Sequence, residues 1–121
     1  MLLRQSPSGP KVSLPSLPGE FANTNVGAAA SIDWRRGPAQ SLGITANCNV
    51  TSVGLPAGEA TWLQLKVVQL PAGGFVPTFV GAKTPGGLPL TFSAAAGAID
   101  IVSLYWDGVT LYATTAGLAF A

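Results

Sequence analysis

Residues 41–51 alternate between apolar and polar or small side chains without interruption. The apolar side chains of this stretch would all lie on one side of an extended strand; they are Leu42, Ile44, Ala46, Cys48 and Val50. Successive side chains of a strand point to opposite faces, so a period of two is typical of a strand that is buried on one face. The stretch does not fit an amphipathic helix, and it predicts a sheet that packs one face against a core.

Further strand-like segments follow at short intervals, separated by glycine- and proline-rich turns. Residues 60–70 alternate in the same way, whereas residues 99–106 are apolar almost throughout and are expected to be covered on both faces. Pro77, within a short apolar stretch, is typical of an edge strand or of a bulge, because proline cannot donate to a sheet ladder. Asp107 and Gly108, placed between two apolar segments, predict a hairpin turn.

The spacing of these segments predicts the fold class. Residues 31–121 contain about seven or eight short strands with regular turn signals, and no stretch combines helical periodicity with capping residues. This arrangement is typical of an all-β domain, and we expect an antiparallel β-sandwich or a jelly roll. A length of 121 residues is enough for one such domain with its own core.

Residues 1–30 differ from the rest of the chain. Their first part contains four prolines, Pro7, Pro10, Pro15 and Pro18, which fix the backbone and remove hydrogen-bond donors. We therefore expect an extended N-terminal arm with polyproline character. Apolar residues recur along this arm, namely Leu2, Leu3, Val12, Leu14, Leu17 and Phe21. The arm is either a loosely ordered terminus or a segment whose apolar side chains dock on another subunit.

Charged residues make up only 9% of the chain, against about 25% in a typical soluble domain. A surface with so little charge favours association, so we expect a permanent homo-oligomer. The net charge is +1 and the basic residues are scattered apart from Arg35 and Arg36, so nucleic acid is not an expected partner. The arginine pair either binds acidic groups of a partner or is simply solvated. No apolar run is long enough for a membrane-spanning helix, and no membrane association is expected.

The sequence offers little for catalysis. It contains no histidine, which removes the commonest general base. The acidic residues are scattered, and the spacing of Asp33 and Asp100 does not indicate a glycosidase pair. Cys48, the single cysteine, is expected to behave as a small buried hydrophobic residue. We therefore expect no enzymatic activity, no cofactor and no metal site.

Aromatic residues on strands are the remaining candidates for a binding site. Trp62, Trp106 and Tyr112 occupy predicted strands and could stack on the rings of a glycan. The alternative is that they are core residues or anchors in a protein interface, which is the more common use of such side chains.

Several short motifs occur in a set order along the chain. They are Asp33–Trp34, Asn49–Val50–Thr51, the Leu63–Gln64–Leu65 segment that continues to Gln69, Pro85–Gly86–Gly87, and Gly97–Ala98–Ile99–Asp100 followed by Tyr105–Trp106–Asp107–Gly108. In this order they resemble a module of tailed-phage virion proteins that is found at the tips of tail fibres and on heads. The sequence departs from that family at residues 79–83, where family members carry a Trp-Pro segment.

The resemblance implies a β-sandwich or jelly-roll subunit of a virion, frequently trimeric. Because the chain begins at Met1 and has only a proline-rich arm before the β domain, we expect a capsid decoration or cement protein. Such a protein would bind the major capsid protein or other virion subunits as a homotrimer. The alternative is a head-fibre or tail-fibre tip module that binds host-surface carbohydrate. In either case the expected role is structural and the expected location is the surface of the phage particle.

Overall fold

The computed structural model describes residues 19–120, and their regular structure is dominated by β-strands. Within this range there are nine strands: β1 (Phe21–Ala22), β2 (Ala29–Asp33), β3 (Ala39–Ile44), β4 (Cys48–Val53), β5 (Thr61–Gln69), β6 (Pro77–Phe79), β7 (Ala82–Lys83), β8 (Ile99–Trp106) and β9 (Leu111–Phe120). Two single-turn 3-10 helices, Trp34–Arg36 and Pro85–Gly87, lie between strands. The all-β prediction is therefore confirmed for the described part of the chain.

The strands form two sheets. The smaller sheet has the order β2-β4-β6, and the larger has the order β1-β3-β5-β8-β9-β7. Five of the seven strand pairings in the described part of the chain are parallel, and the two antiparallel ones join β5 to β8 and β8 to β9. The prediction of antiparallel pairing is thus wrong for these five pairings and right for the other two, and a β-sandwich or jelly roll stays a prediction.

The parallel pairing arises because successive strands enter the two sheets in turn. The chain passes from β1 to β2, returns to form β3 and β4, and then forms β5 and β6. Each pair of consecutive strands, one in each sheet, therefore lies beside the preceding pair, and neighbouring strands run in the same direction. The glycine- and proline-rich turns that suggest hairpins in the sequence are mostly corners that carry the chain from one sheet to the other.

The regular alternation of residues 41–51 continues through one of these corners. β3 ends at Ile44 in the larger sheet and β4 begins at Cys48 in the smaller one, yet the apolar side chains on both sides of the corner are buried. Asn47 stabilises the corner, because its side-chain oxygen accepts a hydrogen bond of 2.8 Å from the Val76 N–H. Alternation persists across the corner because both sheets turn the same side of the chain towards one core.

The hairpin predicted at Asp107 and Gly108 is confirmed. It joins the antiparallel strands β8 and β9 through a short loop. The Asp107 carboxylate accepts hydrogen bonds from the backbone N–H groups of Thr110 (2.6 Å) and Val109 (2.8 Å), and these bonds lower the pKa of Asp107. Gly108 has a φ of 100°, and a Cβ there would lie 3.0 Å from the Gly58 backbone, so the position requires glycine.

One hydrophobic core is shared by the two sheets. Its buried members are Ala30, Ile32, Trp34, Leu42, Ile44, Cys48, Val50, Leu63, Leu65, Val67, Phe79, Val102, Leu104, Leu111 and Ala113. Cys48 is buried as predicted, and this burial raises the pKa of its thiol. Pro77 lies in β6, which is an edge strand as predicted.

Among residues 19–120, three polar side chains are also buried, and each is hydrogen-bonded; they are Gln40, Gln69 and Asp100. Gln69 holds the loop after β5 by donating to the carbonyl of Phe75 (2.6 Å) and accepting from its N–H (3.1 Å). Asp100 accepts hydrogen bonds from Ser93 and from the Ala119 N–H. Buried polar groups are costly unless they are paired, so these contacts attach loops to the ends of the sheets.

Part of the segment that the sequence assigns to the arm contributes to the sheets. Phe21–Ala22 pairs with β3, and Ala29 and Ala30 begin the edge strand β2. Phe21 is half-buried in this position. The other apolar residues of the predicted arm lie outside the described residues; they are Leu2, Leu3, Val12, Leu14 and Leu17.

Candidate ligand-binding face

Three aromatic side chains lie side by side on one face of the larger sheet. Trp62 on β5 is paired with Tyr105 on β8, which is paired in turn with Tyr112 on β9. The ring centroids of Trp62 and Tyr105 are 4.6 Å apart, and those of Tyr105 and Tyr112 are 6.4 Å apart. We call these three residues the aromatic row.

The aromatic row faces away from the core because of strand alternation. The chain neighbours of the three residues include Leu63, Leu104 and Leu111, which are all buried. The rings must therefore point to the opposite, outer face of the sheet. In residues 99–106, which the sequence predicts to be covered on both faces, the side chains of the core face are thus buried apart from the half-buried Trp106, and those of the outer face are half-buried.

The aromatic row lines a cleft of about 520 Å³. Trp62 is 66% exposed and Tyr112 is 42% exposed, so the rings are open to a ligand. Lys83, Thr84 and Pro85 form a wall of the cleft, because Lys83 on β7 is paired with Tyr112 on β9. The other lining residues are Ser103, Tyr105, Ala113 and Thr114.

Polar groups border the aromatic rings. Gln64 is exposed next to the row, and its side-chain amide donates a hydrogen bond of 3.0 Å to the Ser103 hydroxyl. Thr114 and Lys83 are exposed at the opposite side of the cleft. A ligand with a flat apolar surface and polar edges could therefore stack on the rings and hydrogen-bond at the border.

Trp106 does not belong to this row, although the sequence groups it with Trp62 and Tyr112. It is next to Tyr105 on β8 and therefore lies on the other face, where it packs against the core. Its indole N–H donates a hydrogen bond of 2.7 Å to the Pro56 carbonyl. Tyr105 takes its place in the row. The sequence could have indicated that Tyr105 faces outwards, because it is adjacent to the apolar residue Leu104. It does not show that β5, β8 and β9 are neighbours, which is what brings Tyr105 next to Trp62 and Tyr112.

Arg35 and Arg36, the predicted charged contacts to a partner, both contact their own chain. The Asp33 carboxylate accepts hydrogen bonds from Arg35 Nε (2.9 Å), Nη2 (2.8 Å) and backbone N (3.0 Å). The guanidinium carbon of Arg36 lies 4.9 Å from the centroid of the half-buried Phe21 ring, which is a cation–π contact. Binding of a partner by these arginines stays a prediction.

The contact between Arg35 and Asp33 should make the stability of the fold depend on pH in the acidic range. Side-chain hydrogen bonds from Arg35, followed by its backbone N–H, lower the pKa of Asp33 to about 2. Since an unfolded aspartate has a pKa of about 3.9, this contact stabilises the fold fully above that value and loses its effect as the pH falls through the folded pKa.

We expect a carbon-detected NMR titration to give this low pKa, and Arg35→Ala to return it towards the ordinary value. Arg36→Ala is the matched control and should shift the pKa much less, because Arg36 acts on Asp33 only through its charge. Equal shifts in the two variants would contradict this assignment.

A metal site would require a cluster of ligating side chains, and a membrane-spanning helix would require a long apolar helix. Within residues 19–120, no three His, Cys, Asp or Glu side chains come together in a way that could hold a metal ion. No helix in the same range is long and apolar enough to cross a membrane. The absence of enzymatic activity, of a cofactor and of a metal stays a prediction.

Comparison with known proteins identifies no relative, since no family model, no curated protein and no solved structure matches this chain. Several residues of the motifs that resemble the phage module have structural roles. Asp33 accepts the Arg35 N–H at the start of a 3-10 turn, Trp34 is buried in the core, and Asp107 holds the β8–β9 hairpin. Membership of the phage family therefore stays a prediction that depends on the order of the motifs.

Proposed function

We propose that this chain is a non-catalytic binding module of a tailed-phage particle that binds a saccharide on the aromatic row. The observation that supports this function is the exposure of Trp62 and Tyr112 beside Tyr105 in an open cleft. Leaving large aromatic rings in water is unfavourable, so an exposed cluster of them indicates a surface that binds a ligand or partner. The function corresponds to the fibre-tip alternative of the sequence prediction.

The shape and charge of the cleft favour a saccharide. A pyranose ring has one face made of C–H groups, which stacks on aromatic rings, and hydroxyl groups at its edge. Neighbouring strands are about 4.8 Å apart, so rings on adjacent strands form a continuous apolar strip on which consecutive sugar rings could lie. Among the described residues that line the cleft, Lys83 is the only charged one, which suits a neutral or weakly acidic glycan.

Trp62→Ala is expected to weaken saccharide binding at least about 10-fold, which corresponds to about 1.4 kcal/mol, because it removes the most exposed stacking surface. The saccharide is first identified on a glycan array with the intact chain, and its affinity is then measured by isothermal titration calorimetry.

Val109→Ala is the matched control. Val109 is 81% exposed and lies at the β8–β9 turn, outside the aromatic row, so its removal should leave the affinity unchanged. Absence of any hit on a broad array, or equal affinities of the two variants, would overturn the proposal.

A second candidate function is that of a capsid decoration or cement protein, in which two sheets packed as a sandwich assemble as a homotrimer on the capsid. It is favoured by large apolar side chains that are exposed outside the aromatic row. They are Val53, Val76, Val80, Leu88, Val109, Leu118 and Phe120. With only 9% charged residues, such a surface is expected to be covered by other subunits.

The oligomeric state and capsid binding test this second candidate. We expect light scattering to give the mass of three chains, and expanded empty capsids to bind the protein at micromolar concentration. A monomer that does not bind capsids would exclude the decoration role and leave saccharide binding as the remaining proposal.

A further inference from the structure

We propose that β2, an edge strand of the smaller sheet, pairs with β2 of a second copy of this chain. The two strands run antiparallel about a two-fold axis at Ser31, and the two three-stranded sheets join into one continuous sheet. This contact goes beyond the proposed function and does not depend on saccharide binding.

Among the sheet edges that residues 19–120 form, β2 lacks the usual protection against pairing. The edge strands β1 and β7 have only two residues each, and β7 contains Lys83. The edge strand β6 has three residues and begins with Pro77. Short length, lysine and proline are features that keep sheet edges from pairing with other chains. In contrast, β2 has five residues, and residues 29–32 include neither a proline nor a charged side chain.

The register of β2 turns the backbone groups of alternate residues away from β4. The Ala28 carbonyl accepts a hydrogen bond of 3.0 Å from the Asn49 N–H, and Asn49 is the partner of Ala29 in the ladder. In a parallel ladder, alternate residues of a strand direct both backbone groups to the same neighbour, so residues 28, 30 and 32 bond to β4. Ala29 and Ser31 are exposed, and their N–H and C=O groups point to the side where no described strand lies.

The outward-facing groups of β2 are complementary to those of an identical strand. In an antiparallel pair centred on Ser31, the two Ser31 residues exchange two hydrogen bonds, and Ala29 exchanges two with Asp33 of the second copy. The Asp33 carbonyl accepts a bond of 2.9 Å from the Gln40 side chain, and its oxygen can accept a second one. Each outward-facing backbone group then has a partner, which favours a second copy as the occupant of this edge.

An apolar groove beside β2 supports the same occupant. The groove has a volume of about 400 Å³ and lies between β1 and β2, and Phe21, Val26 and Val53 are among its lining residues. The two-fold axis is perpendicular to the joined sheet, so the grooves of both copies face each other and their apolar walls leave water together. The charged residues of the groove, Asp33 and Arg36, have opposite signs, so the facing grooves carry no net charge.

The same axis determines where the two aromatic rows lie. A two-fold axis perpendicular to the joined sheet keeps the core faces of both smaller sheets on one side, and each larger sheet packs on that side. The outer faces of the two larger sheets, and with them the aromatic rows, therefore point in the same direction. If the proposed function holds, two saccharide sites that face the same way bind a saccharide-covered surface more tightly than one site does.

Cysteine cross-linking of the full-length chain tests the pairing. Ser31→Cys places two thiols opposite each other at the axis, where Cα atoms about 5.5 Å apart are within the range that a disulfide spans. We expect oxidised glutathione to convert most of this variant into a disulfide-linked dimer, and light scattering of the native chain to give the mass of two chains. The native Cys48 is buried and should not cross-link.

Thr51→Cys is the matched control for cross-linking. Thr51 is exposed on β4 and is paired with Ser31, but it lies one strand further from the axis. The two Thr51 positions are therefore three strand spacings, or about 14 Å, apart and should not cross-link. Ser31→Pro removes the central outward N–H and should give a folded monomer by circular dichroism and light scattering, whereas Ser31→Ala keeps the N–H and should stay a dimer.

Equal cross-linking of the Ser31→Cys and Thr51→Cys variants would overturn the proposal, and so would a mass of one or of three chains for the native protein. Calorimetry with a soluble saccharide measures the proposed function separately, and the Ser31→Pro variant should bind that saccharide as the native chain does. The native chain should bind a dense layer of the same saccharide at least about 10-fold more tightly than Ser31→Pro. Equal binding to the layer would contradict the common direction of the two rows, whereas absence of soluble binding would overturn only the proposed function.

Discussion

Asp100→Ala is expected to lower the free energy of unfolding by about 3 to 4 kcal/mol, because it removes the buried carboxylate that accepts three hydrogen bonds. The Asp100 carboxylate is 1% exposed and accepts hydrogen bonds from the Ser93 N–H (2.7 Å), the Ser93 hydroxyl (2.7 Å) and the Ala119 N–H (2.8 Å). These contacts attach the loop before β8 and the end of β9 to the sheet. Urea unfolding followed by circular dichroism measures the change.

Asp100→Asn and Asn49→Ala are the controls for this prediction. The asparagine keeps the size and one acceptor oxygen but turns an amide towards neighbouring donors, so the loss should be intermediate. Asn49 is an exposed residue of β4, and its replacement should change the stability by less than about 0.5 kcal/mol. If Asp100→Ala were as stable as Asn49→Ala, the carboxylate would not be the anchor that the structure indicates.

Ile32→Ala is expected to lower the free energy of unfolding by about 2 to 5 kcal/mol, because it opens a cavity in the shared core. Ile32 is fully buried although it lies in β2, an edge strand of the smaller sheet. A loss of this size would show that the smaller sheet and the larger one unfold as one unit. Urea unfolding monitored separately by Trp fluorescence and by circular dichroism should give coincident transitions.

Two substitutions on the same strand serve as controls. Ile32→Val removes one methyl group and should cost about 0.5 to 1.5 kcal/mol. Ser31→Ala changes the neighbouring exposed residue and should have almost no effect. A small effect of Ile32→Ala, close to that of Ser31→Ala, would mean that β2 contributes little to the core.

The sequence predicted the local structure of many residues correctly. The alternation of residues 41–51 identified the buried side chains of β3 and β4, although these strands belong to different sheets. Asp107 and Gly108 identified the β8–β9 hairpin, and Pro77 identified an edge strand. These predictions succeed because each depends on a few adjacent residues, whose backbone preferences and burial are set locally.

The candidate site could be predicted only in part. Trp62 and Tyr112 were correctly placed on strands, but Trp106 was grouped with them in place of Tyr105. The two residues are adjacent on β8, and a one-residue difference in position moves a side chain to the other face of a sheet. Identifying the right member requires knowing that β5, β8 and β9 are neighbours, which brings Trp62 next to Tyr105.

The sequence by itself determined that this chain forms strands, which side chains of those strands face a core, and where its clearest hairpin lies. The tertiary structure alone decided that most strands pair in parallel, that consecutive strands alternate between two sheets, and that three aromatic residues meet on an outer face. The reason is physical: alternation of side chains specifies the inner side of a strand, whereas backbone hydrogen-bonding groups are the same for every residue except proline and do not identify the partner strand. Which strands become neighbours is decided by the packing of the whole core.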